Sequence, residues 1–522
     1  MFTGFQTLVL YLMLAAAAAW AGKRTAVPYP VLLVGAGVLL SLWPWTGALP
    51  GLTPEVVFLV FLPPLLYYAA FFMSPADLRA HARPIGLLAV GLVVVTTVTV
   101  AAILKLVVPG MPLSVATAAG AIVAPTDPVA ASLVLRRLNV PERLETVIGG
   151  EGLINDGAAL VLYGVAVAAA VSGGIDPRQT AHLLLLAPAG GAGLGLAIAW
   201  VLVRLRRHID EPLAEITISL ATPYLTYLLA EATGLSGVLA TVVAGVYVGW
   251  QSGSIYEPST RLQAFAFLEV LVFLLNAVLF TLVGVQLARV VHPVPGLSLP
   301  HLIAVVSAAS AVVIATRLAW ILAGPAMARL RHHGPGPAGW REGVVVGWSG
   351  MRGGVSLAAA LALPRQGPGG SPFPYRDLVI VVVAAVIVAT LILQGMTLPW
   401  LLGRLNVGYQ ADDAERRARL QAIRAVLDHL EERASGDTDP EDDVARLRGL
   451  YSARAQRLER RHSGRGPREG GVPERYRALR LELLHIERTV ISTSREKRRI
   501  SPEAMRRIQH DLDLEEVRLR TL

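Results

Sequence analysis

The chain has 522 residues, 54% hydrophobic and 16% charged, with a mean hydropathy of +0.54 and a formal net charge of +9. That charge content lies well below the ~25% of soluble domains, which excludes an ordinary soluble globular protein, and the absence of cysteine excludes disulfides and thiolate metal sites. The charge is also unevenly placed: residues 403–522 hold 26 Lys+Arg and 22 Asp+Glu, against 21 and 16 in residues 1–402.

A membrane span needs ~20 apolar residues, and thirteen candidates follow in order. The first two run from about Phe5 to Ala21 and Pro28 to Trp45. The first lacks a positive leader, and Lys23 and Arg24 follow it, so it reads as a retained span. The third and fourth are Pro54 to Met73 and Ile85 to Val107, and the fifth, Pro112 to Leu135, is interrupted at Pro125-Thr126-Asp127-Pro128. The sixth, Leu144 to Val171, contains Gly150-Glu151-Gly152-Leu153-Ile154-Asn155-Asp156. The seventh to eleventh are Leu183 to Val203, Ile216 to Ala230, Leu235 to Trp250, Phe265 to Val290 and His301 to Leu322. The twelfth, Gly343 to Leu363, holds Gly347, Gly350, Gly353 and Gly354, and the thirteenth is Leu378 to Leu402.

With the N-terminus outside, simple alternation puts fourteen Lys and Arg on inner loops and five on outer loops. This is the bias that orients membrane proteins; it places the tail in the cytoplasm and makes nucleic acid an unneeded explanation for the basic balance. An odd count allows two inverted six-span halves with one linking span, and the interruptions in spans five and twelve then fall at equivalent positions. Beyond about residue 403 the chain reads as a separate helical domain. Apolar residues recur at helical spacing in Leu420, Ile423, Leu427 and Leu430, and again in Tyr476, Leu479, Leu483, Ile486 and Val490. A Gly/Pro/Arg-rich linker, Arg460 to Gly471, separates them, and Ser501-Pro502 starts another helix.

Charges inside spans mark functional sites. Asp156 has no cation beside it in sequence. Burial disfavours the charged form of a carboxylate, so one such group can hold a proton at one time and a cation at another, which suffices for exchange. Asn155 keeps the charge count at one. Glu151 precedes Asp156 by five residues, a rotation of about 140° on a helix, so it needs its own partner. Arg352 in span twelve is the candidate, giving a core ion pair that holds the halves in register. Asp127 can neutralise a half-helix end exposed by the break, and Thr126 offers hard oxygen ligands or a cap. Arg317 in span eleven needs an acid that the sequence does not identify. Glu269 and Asn276 in span ten are weaker signals, and the histidines, in loops and tail, have no assigned role.

These motifs resemble those of the first cation:proton antiporter family, the bacterial NhaP-like and animal sodium/proton exchangers. The resemblance rests on the segments at 125–128 and 150–156, on Gly350-Met351-Arg352-Gly353-Gly354-Val355-Ser356-Leu357-Ala358, on Leu62-Pro63-Pro64-Leu65-Leu66, and on Ala230-Glu231 with Leu235-Ser236-Gly237. It covers about residues 5–402. It implies an all-α polytopic fold of about 13 spans, with spans five and twelve broken and crossing in mid-membrane, and a homodimer in a cell membrane. It also implies elevator-like alternating access and no cofactor. Asp156 would carry the transported Na+ or the proton, with Asn155, Asp127 and Thr126 around it, and Thr126 would share the Na+; the Asn-Asp pair implies electroneutral exchange. Many relatives carry an acid where this chain has Tyr68, and serine where it has Gly152, so Tyr68 is expected to contribute at most a hydroxyl to the pocket. The expected function is exchange of a monovalent cation, Na+ before Li+ or K+, for a proton. A K+/H+ exchanger is the alternative; an intramembrane enzyme is a lesser one, because no metal-binding histidine pair or Ser/His arrangement lies in the spans.

Overall fold

In a computed structural model, contacts divide the chain into two units, Met1–Tyr409 and Gln410–Leu522. The structure describes residues 2–25, 27–41, 54–128, 131–132, 135, 140, 142–209, 211–255, 258–290, 297–330, 340–367, 371–405 and 407 of the first unit, and 423–428, 430–431, 448–449 and 451–452 of the second. In the second unit residues 423–428 are helical, and Arg448 Nη2 lies 2.5 Å from Glu431 Oε1. The stripe from Tyr476 to Val490, the linker and the helix start at Ser501 lie outside the described residues.

The first unit is helical. Its described residues form no strand, only an isolated bridge between Gln366 and Pro372. Apart from the short helix Pro75–Ala80, in order the helices are α1 (Phe2–Arg24), α2 (Tyr29–Ser41), α3 (Pro54–Phe71), α4 (Ala82–Val107), α5 (Leu113–Val123), α6 (Glu142–Ser172), α7 (Pro177–Arg206), α8 (Pro212–Ala232), α9 (Gly237–Ile255), α10 (Pro258–Val290) and α11 (Leu299–Leu330). After them come α12 (Trp340–Trp348), α13 (Gly354–Leu361) and α14 (Arg376–Leu405). Eight described helices are long and apolar enough to cross a membrane, and four shorter apolar helices accompany them. Each of the thirteen stretches read from the sequence contains helix.

Backbone groups in a membrane must be satisfied within the protein, and the irregular points of this fold show how. Pro63 and Pro64 in α3 supply no N–H to the preceding turn, a π-helical turn at Val57–Phe61 adjusts the winding, and the Tyr224 hydroxyl of α8 donates to the Val60 carbonyl at 3.1 Å. Glycines allow close helix contact elsewhere. A side chain on Gly37 of α2 or Gly284 of α10 would meet the other helix's backbone.

Two interruptions meet inside the unit. α5 stops at Val123, and residues 124–127 are non-helical. α12 stops at Trp348, and α13 starts at Gly354. The two breaks are joined backbone to backbone, with Asp127 N donating to Met351 O at 2.7 Å. The broken and crossing segments expected from the sequence are therefore present.

Candidate functional site

The crossing leaves helix ends in the interior, and each described end is met by a group of complementary sign. Carbonyls at a helix C-terminus lack intrahelical donors and carry partial negative charge. Arg352 Nε donates to Val123 O at the end of α5, at 3.0 Å, and its Nη1 donates to Gly350 O. Its own N–H donates to Thr390 Oγ1 of α14 at 3.2 Å. Arg317 of α11 donates from Nε and Nη2 to Val346 O in the last turn of α12, at 3.3 and 3.0 Å. At the other end of α13, away from the break, Arg376 holds Leu361 O, the last residue of that helix, and Leu363 O just past it, at 2.9 and 3.0 Å. Asp127 sits at the opposite kind of end: its carboxylate lies so close to Gly353, the N-cap of α13, that a side chain there would collide with it.

The expected ion pair between Glu151 and Arg352 is not the one that forms. Glu151, 1% exposed, is held by Arg317, whose Nη2 lies 2.8 Å from Oε2 and whose Nη1 pairs with Oε1. The physical reason is the demand of the helix ends. A buried arginine needs acceptors, not necessarily a carboxylate, and the carbonyls of Val123 and Gly350 supply them for Arg352. Arg317, whose partner the sequence left open, takes the acid. Sequence distance hid this pairing, since the two residues are 166 positions apart.

A hydrogen-bonded chain runs from this pair toward Asp156. The Thr126 hydroxyl donates to Glu151 Oε1 at 3.1 Å and accepts from Asn155 Nδ2 at 2.9 Å. Asn155 Nδ2 also approaches Thr126 O at 3.4 Å. Thr126 is thus a link between α6 and the break, its hydroxyl proton committed to Glu151. Asn155 Oδ1 is buried with no protein partner among the described residues.

Asp156 is 7% exposed and, among the described residues, no basic side chain pairs with it. It borders two cavities. The larger, about 580 Å³, is lined by Leu62, Leu66, Pro128, Gly152 and Asn276 among others, with Thr126 and Asp127 in its wall. The smaller, about 210 Å³, lies toward Ala159, Leu160 and Tyr163, further along α6. Pro125, Asp156, Val355 and Ser356 wall both.

The structure sharpens the reading of three single residues. Tyr68 does not line either cavity: Leu62, Leu65, Leu66 and Ala69 form the i, i+3, i+4, i+7 stripe that does, and Tyr68 lies about a third of a turn away. Its ring packs edge-on against Phe72, with centroids 4.7 Å apart. Gly152 is required by packing, since a Cβ there would run into the Pro128 ring. Asn276, a weak signal in the sequence, is 2% exposed and stands in the cavity wall with Asp156.

Residues 9–404 match the family model described as sodium/hydrogen exchanger, transmembrane. The chain is 36% identical over 510 residues to an uncharacterised Na+/H+ exchanger of Mycobacterium bovis, covering 95% of this chain and 93% of the relative. It is 28% identical to a sodium, potassium, lithium and rubidium/H+ antiporter of Bacillus pumilus, covering 94% and 74%. The sodium proton antiporter MjNhaP1 of Methanocaldococcus jannaschii superposes with a TM-score of 0.60 at 19% identity, over 77% of this chain and 99% of that one, and so shares the fold. With the family model spanning most of the membrane unit and relatives aligned along nearly the whole length, the chain belongs to the sodium/hydrogen exchanger family of multi-pass membrane transporters.

Proposed function

We propose that the protein is a secondary antiporter that exchanges one monovalent cation for one proton across the cell membrane, with Asp156 as the shared site. The observation that carries this is Asp156 itself: a buried carboxylate with no basic partner among the described residues, standing between two cavities. An isolated buried charge is costly, so the group is stable only with a proton or a cation on it. Either ligand satisfies it and each excludes the other. Coupling follows if the site reorients only when occupied.

Glu151 and Arg317 neutralise each other, Asp127 and Arg352 at the crossing are opposite in sign, and Asn155 is uncharged, so one net negative charge remains to meet one positive ligand of either kind. That balance supports electroneutral exchange. The two cavities that share Asp156 support alternating access. A homodimer without cofactor, taking part in pH homeostasis, completes the reading, and the family's transport role argues against enzymatic activity.

The cation need not be Na+ alone. The third-span wall of the cavity is apolar, and a relative of this chain is named for four alkali cations. Exchange of K+ or Li+ is therefore part of the proposal.

The test is purified protein in proteoliposomes carrying an imposed pH gradient and an internal pH dye. Addition of Na+, Li+ or K+ dissipates the gradient in wild type and not in Asp156→Asn. Full exchange by Asp156→Asn defeats the assignment.

A further inference from the structure

We infer that Asn276 is a specificity-determining residue, its side-chain oxygen serving as a neutral ligand to the transported cation in the larger cavity. The inference rests on the reading of Asp156 as the cation site.

Asn276 comes from α10, which is neither of the interrupted segments, and with Asp156 it lines a cavity whose other contributors from α3 and α10 are apolar: Leu62, Leu65, Leu66, Ala69 and Leu279. A cation leaving water for this space needs oxygen atoms to replace its hydration shell, as hard cations do. Thr126 is poorly placed to give its hydroxyl, which already donates to Glu151 and accepts from Asn155. Asp127 lies against the start of α13 and has that helix end to balance. Among the described residues, Asn276 is the one polar side chain that α3 and α10 bring to that lining.

Its orientation is fixed by hydrogen-bonding logic. One end of the amide lies 2.9 Å from the Val272 carbonyl, one turn back on α10. A carbonyl only accepts, so that end must be the NH2 group. The amide oxygen is left for the cavity side. An amide oxygen brings no proton of its own, so the ligand adds affinity without changing the one-for-one charge balance at Asp156. It also lacks the field strength of a carboxylate, which suits a site accepting several alkali cations.

The experiment measures exchange in proteoliposomes against Na+ and K+ concentration for wild type, Asn276→Leu, Asn276→Asp and Asp156→Asn. Loss of one uncharged ligand predicts that Asn276→Leu raises the half-saturating Na+ concentration about fivefold, with a smaller change in maximal rate. Asn276→Asp lowers that concentration, and lowers it more for Na+ than for K+. Wild-type half-saturation in both variants overturns the inference, as does a fall in maximal rate alone, which marks a packing role. If leucine gives no folded protein, the aspartate variant decides by the same criterion. Exchange surviving in Asp156→Asn removes the site reading itself; a dead Asp156→Asn with unaltered Asn276 variants removes this inference only.

Discussion

Arg317 of α11 grips both carboxylate oxygens of Glu151 on α6 and at the same time two of its nitrogens close the carbonyl of Val346 on α12. One side chain therefore ties three helices together beside the crossing. Removing one partner of a buried pair costs about 3–5 kcal/mol, because the other charge is stranded. Arg317→Ala and Glu151→Ala are each expected to lower folded yield and melting temperature in detergent sharply. In double-mutant cycles the coupling of Glu151 with Arg317 exceeds that of Glu151 with Arg352. Equal coupling would show that the pairing is shared among the three.

Arg352 serves a helix end instead of an acid. Arg352→Lys keeps the charge but loses the fork that reaches Val123 O and Gly350 O together. We expect it to retain only part of the wild-type thermal stability, where an ion-pair role would have tolerated lysine. Thermal unfolding of the purified variants distinguishes the two.

Thr126 joins Glu151 to Asn155 through one hydroxyl. Thr126→Val keeps the shape and leaves a buried carboxylate oxygen and a buried amide short of a partner, a loss of about 1–3 kcal/mol. Thr126→Ser restores both bonds. The valine variant should lose stability and raise the half-saturating cation concentration, with serine close to wild type. Identical behaviour of valine and wild type would mean the hydroxyl is idle.

Gly152 and Gly353 are close-approach positions, facing Pro128 and Asp127. Overpacking of this kind costs about 1–3 kcal/mol. Gly353→Ala also pushes the Asp127 carboxylate from the start of α13. Both variants are expected to show reduced folded yield, and Gly353→Ala the greater loss of transport per folded molecule. Wild-type transport by Gly353→Ala would remove the need for this contact.

Competition at a single carboxylate fixes the sign of the pH dependence. Lowering the pH fills Asp156 with protons, so more cation is needed for half-saturation, up to about tenfold per unit where the proton dominates. Raising the cation concentration should restore the rate at low pH, and clamping the membrane potential should leave it nearly unchanged. A pH effect on maximal rate that no cation concentration reverses would point to a second titrating site.

The membrane character, the helical character of the stretches read as spans, the interrupted fifth and twelfth stretches and the lack of a cation beside Asp156 were all legible in the sequence. Apolar run length, proline and glycine placement and the high cost of an intramembrane charge are local properties, visible wherever they occur in a chain. The partner of Glu151 was not, because an arginine in the interior is satisfied equally by an acid or by orphan carbonyls at a helix end. Which arginine meets which group depends on how α5, α6, α11 and α12 converge. The same holds for Tyr68 and Asn276: membership of a cavity wall is set by helix rotation against neighbours, and one stripe of α3 turned Tyr68 aside while α10 brought Asn276 in. Sequence alone determined which residues carry expensive groups into the membrane; tertiary structure alone decided which of them compensate one another and left Asp156 without a basic partner among the described residues, since compensation is a matter of distance between helices far apart in the chain.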